Sequence, residues 1–227
     1  MEFVGIDKFS LLDYDEKVSV VLFSPACNFR CPFCHNGQSV LNSNTPIPFQ
    51  EILEYLKSRV GLIDAVVFSG GEPTMMAELK SRIKQVKNLG FLVKLDTNGT
   101  HPNILEELIN ENLLDYVAMD IKNSERMYPA TAGCPSVNVE NIKKSIKILE
   151  NSCINYEFRT TLVKEFHDEE SIREMGELVK GAKKLYLQKF VDREGVIQKG
   201  LHEISLEEAN RFVEILSPLV PTELRGY

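Results

Sequence analysis

Short runs of β-branched and aliphatic residues recur along the chain. Each is followed by a stretch whose apolar residues return every three or four positions. The first pattern suits a strand covered on both faces, and the second lays an apolar stripe along a helix. The predicted strands are 18–23, 65–68, 91–96, 116–121, 156–163 and 184–189, and the predicted helices are 48–59, 76–88, 102–112, 138–150, 168–180 and 205–217. End signals agree with these spans. Pro48 opens the first helix, Gly90 follows the second, Pro102 sits in the first turn of the third, and Ser205 with Glu208 three residues later forms a capping pattern. Alternation of strand and helix predicts a parallel sheet with helical crossovers. Six units fit 227 residues, whereas a complete eight-unit barrel needs about 250. The expected fold is therefore α/β: a partial, laterally open (β/α)6 barrel forming one domain over residues 1–227. Residues 1–17 would lead in, 18–190 form the six-strand core, and 191–227 add a loop and a helix. Such folds place the active site at the C-terminal strand ends.

Composition narrows the possibilities. Hydrophobic residues make up 43% of the chain, enough for one sizeable core, and the net charge of −7 gives no footprint for gripping a nucleic-acid backbone. Residues 1–17 carry acids and no long apolar stretch, so they do not read as a secretory signal. The longest apolar runs are strand-sized, too short for a membrane span. A cytoplasmic protein with no membrane or nucleic-acid partner is expected. Cysteine usage changes the picture most. There are five, an odd number, and three fall within eight residues, which points to metal or redox chemistry rather than disulfides.

Those three lie in CNFRCPFCHN, residues 27–36, directly after the first predicted strand. Cys27, Cys31 and Cys34 have C-x3-C-x2-C spacing, and a short loop can wrap three such thiolates around one iron–sulfur cubane. A cubane has four irons to ligate, so three thiolates leave one iron open to a substrate. Zinc held by the three thiols and His35 is the other reading. It is disfavoured because His35 adjoins Cys34 and zinc ligands usually come as spaced pairs from two segments. A closed electron-transfer cluster would need Cys134 or Cys153 from distant parts of the chain. Cys134 reads as a loop residue and Cys153 as a small buried residue near a helix end.

Further motifs fall where the fold predicts chemistry. Gly70-Gly71-Glu72-Pro73 follows the second strand, Asp96-Thr97-Asn98-Gly99 closes the third, Asp120-Ile121-Lys122 closes the fourth, and Arg159 lies in the fifth. Glycines allow close approach to backbone, oxygen ligands suit a hard cation, and an arginine pointing into a barrel is costly unless paired. Each has a plainer reading: a strand-to-helix turn, an Asn-Gly turn, a salt bridge between Asp120 and Lys122. His101, His167 and His202 read as solvated loop or helix-end residues, and Arg225-Gly226-Tyr227 has no assigned role.

The cysteine motif resembles that of the radical S-adenosylmethionine superfamily, C-x3-C-x-aromatic-C, with Phe33 in the aromatic position. Within it, CNFRCPFCHN and the preceding FSLLDYDEKVSVVLF (residues 9–23) are most similar to activases of glycyl radical enzymes, above all the activating protein of anaerobic ribonucleotide reductase. The resemblance runs from about residue 9 to 190. It implies a [4Fe-4S] cluster on Cys27, Cys31 and Cys34 and bound S-adenosylmethionine. By the same resemblance, Gly70, Gly71 and Glu72 would meet the methionine ammonium, and Asp96 and Thr97 would hold a monovalent or divalent cation beside its carboxylate. Asp120 and Lys122 would reach ribose and carboxylate, and Arg159 would lie against the cofactor. Gln188 and Lys189 end the sixth strand, where activases of the pyruvate formate-lyase type show a histidine. That departure argues against a pyruvate formate-lyase-type activase. The implied reaction is reductive cleavage of S-adenosylmethionine to a 5′-deoxyadenosyl radical, with electrons from a low-potential donor such as flavodoxin or ferredoxin. The implied target is a backbone glycine of a large glycyl radical enzyme, whose loop would enter a lateral opening that little of the chain is left to cover. The rival expectations are a small-molecule enzyme of the same superfamily, such as a 7-carboxy-7-deazaguanine synthase, and a zinc-stabilised binding module.

Overall fold

The computed structural model describes residues 2–37 and 45–227. Its elements run β1 (Gly5–Ser10), β2 (Ser19–Ser24), α1 (Phe49–Lys57), β3 (Ala65–Gly70), α2 (Leu79–Asn88), β4 (Leu92–Thr97), α3 (Pro102–Asn110), β5 (Tyr116–Asp120), a single turn α4 (Tyr128–Thr131), α5 (Val139–Asn151), β6 (Asn155–Leu162), α6 (Glu169–Leu178), β7 (Leu185–Lys189), α7 (Leu206–Leu216) and β8 (Thr222–Arg225). Local chemistry sets several boundaries. The Asn138 side chain accepts from Glu140 N at 3.1 Å to start α5, and that of Ser205 accepts from Glu208 N at 3.2 Å to start α7. Asp168 and Ser171 cap α6 reciprocally. Among the described residues no helix is long and apolar enough to cross a membrane.

All eight strands join one sheet in sequence order. β1 is antiparallel to β2, and every later pair is parallel. The sheet is open. Its six central strands, β2 to β7, are the six the hydrophobic pattern predicts. The edge strands β1 and β8 are additional, and they correct the expectation that the ends supply only a lead-in segment and a loop with a helix. Both are half-exposed with mixed polarity, and β8 is only four residues long, so neither carries a strand-like apolar run.

Period-two alternation divides the sheet's faces. Leu22, Phe68, Val93, Leu95, Val117, Phe158 and Leu187 are fully buried in the main core, with the helices. The opposite face is polar towards the C-terminal ends, where Ser69, Asp96, Asp120, Arg159 and Gln188 line one cavity. Lower on that face the N-terminal segment closes the floor. Tyr14 packs with Val21, Ala65 and Val67, and its ring centroid lies 5.4 Å from that of Tyr116. The ends of the chain thus cover more of the incomplete barrel than its sequence suggests.

Two charges tie that floor together. Glu157 is 1% exposed. It accepts from Tyr116 Oη at 3.0 Å and pairs with Arg225 Nη1 at 3.1 Å. The Arg225 guanidinium stacks 3.7 Å from the Tyr186 ring centroid and reaches Asp15 at 3.5 Å. Arg225, without a role in the sequence reading, is thus the counter-ion of a buried carboxylate. Cys153 also differs from expectation: it is exposed, because the chain turns at the surface between α5 and β6. Arg225→Ala leaves Glu157 with only the tyrosine hydroxyl and should lower stability by about 2 kcal/mol. Denaturant unfolding checks this, and Arg225→Lys should recover part of the loss.

Candidate active site

A cavity of about 270 Å³ opens at the C-terminal ends of the strands. Cys27, Cys31 and Cys34 all line it, Cys31 buried and the other two partly exposed. The loop that carries them is pinned from three sides by backbone hydrogen bonds: Glu72 N to Ala26 O at 2.6 Å, Arg30 N to Ala132 O at 3.0 Å and Gln198 N to Pro32 O at 2.8 Å. Asn36 Nδ2 adds a bond to Gly70 O at 3.0 Å, which gives the asparagine after His35 a physical role that the sequence did not reveal.

Gly70 and Gly71 are needed for packing as well as for access. Gly70 has φ +98°, and a Cβ there would lie 2.5 Å from Ser24 N, while one on Gly71 would lie 2.1 Å from Ala26 O. No other residue lets this turn sit so close to the chain that leads into the cysteine loop.

Burial pushes the Cys27 thiol up to about 12 and Cys31 up to about 11, and it raises Cys34 as well. The Lys122 ammonium pulls against all three rises. To hold an iron–sulfur cluster the three cysteines would have to bind as thiolates, so loading would release their protons. His35, which a zinc reading would need as the fourth ligand, lies against Phe190 with ring centroids 5.9 Å apart. Among the described residues no three His, Cys, Asp or Glu side chains converge as they would around a single ion.

The cavity's opposite wall is an ion lattice. Asp120 and Arg159 are register partners on β5 and β6. Arg159 Nε donates to Asp120 Oδ1 at 3.1 Å, and its Nη1 lies 3.5 Å from Asp96 Oδ2. Lys122 Nζ reaches Asp120 Oδ2 at 3.0 Å and sits 6.0 Å from the Phe33 ring centroid. Burial works to raise the Asp120 carboxyl, but Lys122 and Arg159 outweigh it and hold the group below the ordinary aspartate range. Asp96 Oδ2 also accepts from Ser69 Oγ at 2.9 Å, whereas Asp96 Oδ1 is buried without a hydrogen-bond partner.

Most of the predicted site residues meet here: Phe33, Gly70, Gly71, Asp96, Thr97, Asp120, Lys122 and Arg159 line the same cavity as the cysteines. Glu72 is the exception. It is 1% exposed and stands behind the wall. It accepts from Asn98 N at 2.7 Å, Thr97 Oγ1 at 2.8 Å, and Thr74 through Oγ1 at 2.5 Å and N at 3.1 Å. Burial pushes its carboxyl pKa up, and these donors pull it back. With both oxygens occupied, Glu72 braces the β3 turn against the β4 turn, and the ammonium contact expected of it would have to displace one of these donors. His167 is a correction to the sequence reading. It is 2% exposed, its Nδ1 meets the Val163 backbone at 3.1 Å and its Nε2 meets Lys122 O at 3.0 Å. Burial lowers its pKa, so a neutral imidazole props the strand end that carries Lys122.

Other residues of the cavity had no role assigned from the sequence, and Thr161 was not singled out at all. Asn98 Nδ2 lies 3.9 Å from Cys27 Sγ and 2.8 Å from Asn28 Oδ1. The Asn-Gly pair signalled only a turn. Thr161 and Gln188 line the wall as Cα register partners on β6 and β7. Lys189 faces away and pairs with Glu203 at 3.0 Å.

The residues present fit an iron–sulfur cluster with an adenosyl cofactor. Three thiols of one short loop face a cavity whose far wall carries alternating charges and a buried carboxylate oxygen, Asp96 Oδ1, without a hydrogen-bond partner. The sequence profile of the Radical SAM superfamily matches residues 21–179. The chain belongs to the radical SAM superfamily. It is a radical SAM enzyme, and the family brings with it a [4Fe-4S] cluster and S-adenosylmethionine.

The chain is 37% identical over 190 residues to a Methanocaldococcus jannaschii protein provisionally named a glycyl-radical enzyme activating enzyme, covering 82% of this chain and 78% of that one. It is 31% identical over 150 residues to a protein of Sulfurisphaera tokodaii named for GTP 3′,8-cyclase activity, covering 63% of this chain and 46% of the relative. Among solved radical SAM structures, a methyltransferase from Sphaerobacter thermophilus superposes with a TM-score of 0.74 at 16% identity, over 93% of this chain and 67% of that one. Streptococcus suis SuiB bound to S-adenosylmethionine gives 0.67 at 13% identity, over 91% and 52%. At those identities the likeness concerns the fold.

Glu72→Ala should cost on the order of 3 kcal/mol, because it leaves buried donors of the β4 turn unpaired. It should weaken S-adenosylmethionine binding while the reconstituted cluster keeps its visible absorbance. Denaturant unfolding and equilibrium dialysis read the two effects separately.

Proposed function

We propose that this radical SAM enzyme is an activase that places a glycyl radical on a partner enzyme, an anaerobic ribonucleoside-triphosphate reductase. The observation that carries this reading is the extent of the match to the activating-enzyme relative, which spans most of both chains. The relative named for GTP 3′,8-cyclase activity and one named 7-carboxy-7-deazaguanine synthase, from Hyperthermus butylicus, match over 46% and 36% of their own lengths. Whatever lies in the rest of those proteins has no counterpart in the matched segment.

In this reading Cys27, Cys31 and Cys34 hold the cluster, and Asn98 Nδ2, pointing at Cys27 Sγ, contributes to its potential as hydrogen bonds to cluster sulfur do. When bound, the cluster and S-adenosylmethionine supply the electron and the adenosyl radical. The chain's own work is binding and orientation. Asp120 and Arg159 fix each other, so neither has to reorganise when a ligand arrives. Lys122, held by Asp120 and the His167 brace, presents a cation near the cluster loop, where a carboxylate would dock. Asp96 lines the cavity beside them, fixed by Ser69 and Arg159. Phe33 closes the cavity beside Phe166, with ring centroids 6.1 Å apart, and keeps water from that side. The reductant would be a low-potential flavodoxin or ferredoxin.

The test incubates reduced, reconstituted protein with S-adenosylmethionine and a candidate glycyl radical enzyme without oxygen. Electron paramagnetic resonance should show a glycyl radical doublet, with about one 5′-deoxyadenosine formed per radical when coupling is tight. Brisk cleavage with no radical on any candidate protein, and modification of a small metabolite instead, would overturn the activase reading.

A further inference from the structure

Beneath the cavity lies a charge that neither the motifs nor the reaction require. Lys94 is two residues before Asp96 on β4, so period two puts both side chains on the inner face. It is 4% exposed. Its ammonium donates to Asp13 O at 2.5 Å and lies over the rings of Tyr116 and Tyr14, at 5.4 and 6.0 Å from their centroids. It stands 3.7 Å from Asp96 Oδ1, the same oxygen that has no hydrogen-bond partner. A buried ammonium is costly unless an opposite charge answers it. Glu157 on the floor is already matched by Arg225, which leaves Asp96 as the carboxylate that Lys94 answers.

The charges of this layer can be counted. Asp96 and Asp120 face Lys94, Lys122 and Arg159 through the ion pairs given above. Two carboxylates meet three cations, so Asp96 is neutralised before anything binds. A free metal cation placed against Asp96 would be repelled by Lys94 on one side and Arg159 on the other. At 3.7 Å the contact between Lys94 and Asp96 Oδ1 is an ion pair rather than a hydrogen bond, and Oδ1 is buried on the Lys94 side of the carboxylate.

We propose that Lys94 is a positioning residue that serves as the resident counter-ion of Asp96, so that S-adenosylmethionine binds this cavity without an added alkali or alkaline-earth cation. The inference rests on the cavity being the S-adenosylmethionine site and not on the identity of the partner.

The experiment measures S-adenosylmethionine affinity by equilibrium dialysis on anaerobically reconstituted, unreduced protein. Choline chloride is compared with sodium, potassium or magnesium chloride at matched ionic strength. Wild-type affinity should be the same in all four salts. Lys94→Met should weaken binding about tenfold in choline chloride, roughly one pair's worth of charge interaction, and a small metal cation should restore it. Lys94→Arg should bind as wild type does in every salt. A wild-type protein that needs sodium, potassium or magnesium overturns the proposal, and this arm decides even if Lys94→Met does not fold. So does a folded Lys94→Met protein that binds normally in choline chloride, or one that no cation restores. Failure of the wild type to bind in any salt would instead sink the assignment of the cavity.

Discussion

The structure depends on how charge is tolerated inside an incomplete barrel. An isolated ion there would forfeit its hydration with nothing in return. The chain avoids this by placing Arg159 opposite Asp120 in register and within reach of Asp96, so that three adjacent strands each bring one member of an alternating row. Lys122 and Lys94 extend the row towards the cysteine loop and the floor. Because each ion fixes its neighbour, the wall is set before a ligand arrives. That is the condition under which charges orient a cofactor without reorganising. Packing beneath it serves the same end: Tyr14 and Tyr116 hold Lys94 in place, and His167 holds the backbone of Lys122.

The cysteine loop is constrained differently, by close backbone contacts. Gly71 meets Ala26, Gly70 meets Ser24, and Gly133, with φ +58°, would bring a Cβ within 2.0 Å of Arg30 O. A loop with little regular structure of its own is thereby fixed by two neighbouring turns. Glu72 joins the first of these turns to the Thr97-Asn98 turn, which also points an amide at Cys27. Thiols, GG turn and Asp96 wall thus form one mechanical unit, although they come from separate parts of the sequence.

Much of this was legible in the chain. The six central strands and the helices between them follow from alternating apolar runs, and the motifs fall at the strand ends because parallel α/β topology puts the loops there. What was hidden has identifiable causes. β1 and β8 are edges with mixed polarity, and only the sheet beside them makes them strands. Glu72 sits in a motif that marks a turn, but spacing does not say which way a turn residue faces. His167 lies next to a helix cap and so reads as exposed, and only tertiary packing brings it under Lys122. Cys153 looks like a buried small residue, yet the chain reverses at the surface there. Lys94 could have been found, since a lysine two residues before a site aspartate in an apolar strand must share its face.

The central claim is that three thiolates hold a cubane whose fourth iron is left for S-adenosylmethionine. Mössbauer spectroscopy of protein reconstituted with isotopically enriched iron tests it most directly. Adding S-adenosylmethionine should shift the signal of one iron of the cluster and leave the others unchanged. A spectrum in which all the irons are equivalent and indifferent to S-adenosylmethionine would mean a fourth protein ligand closes the cluster, and would contradict the account.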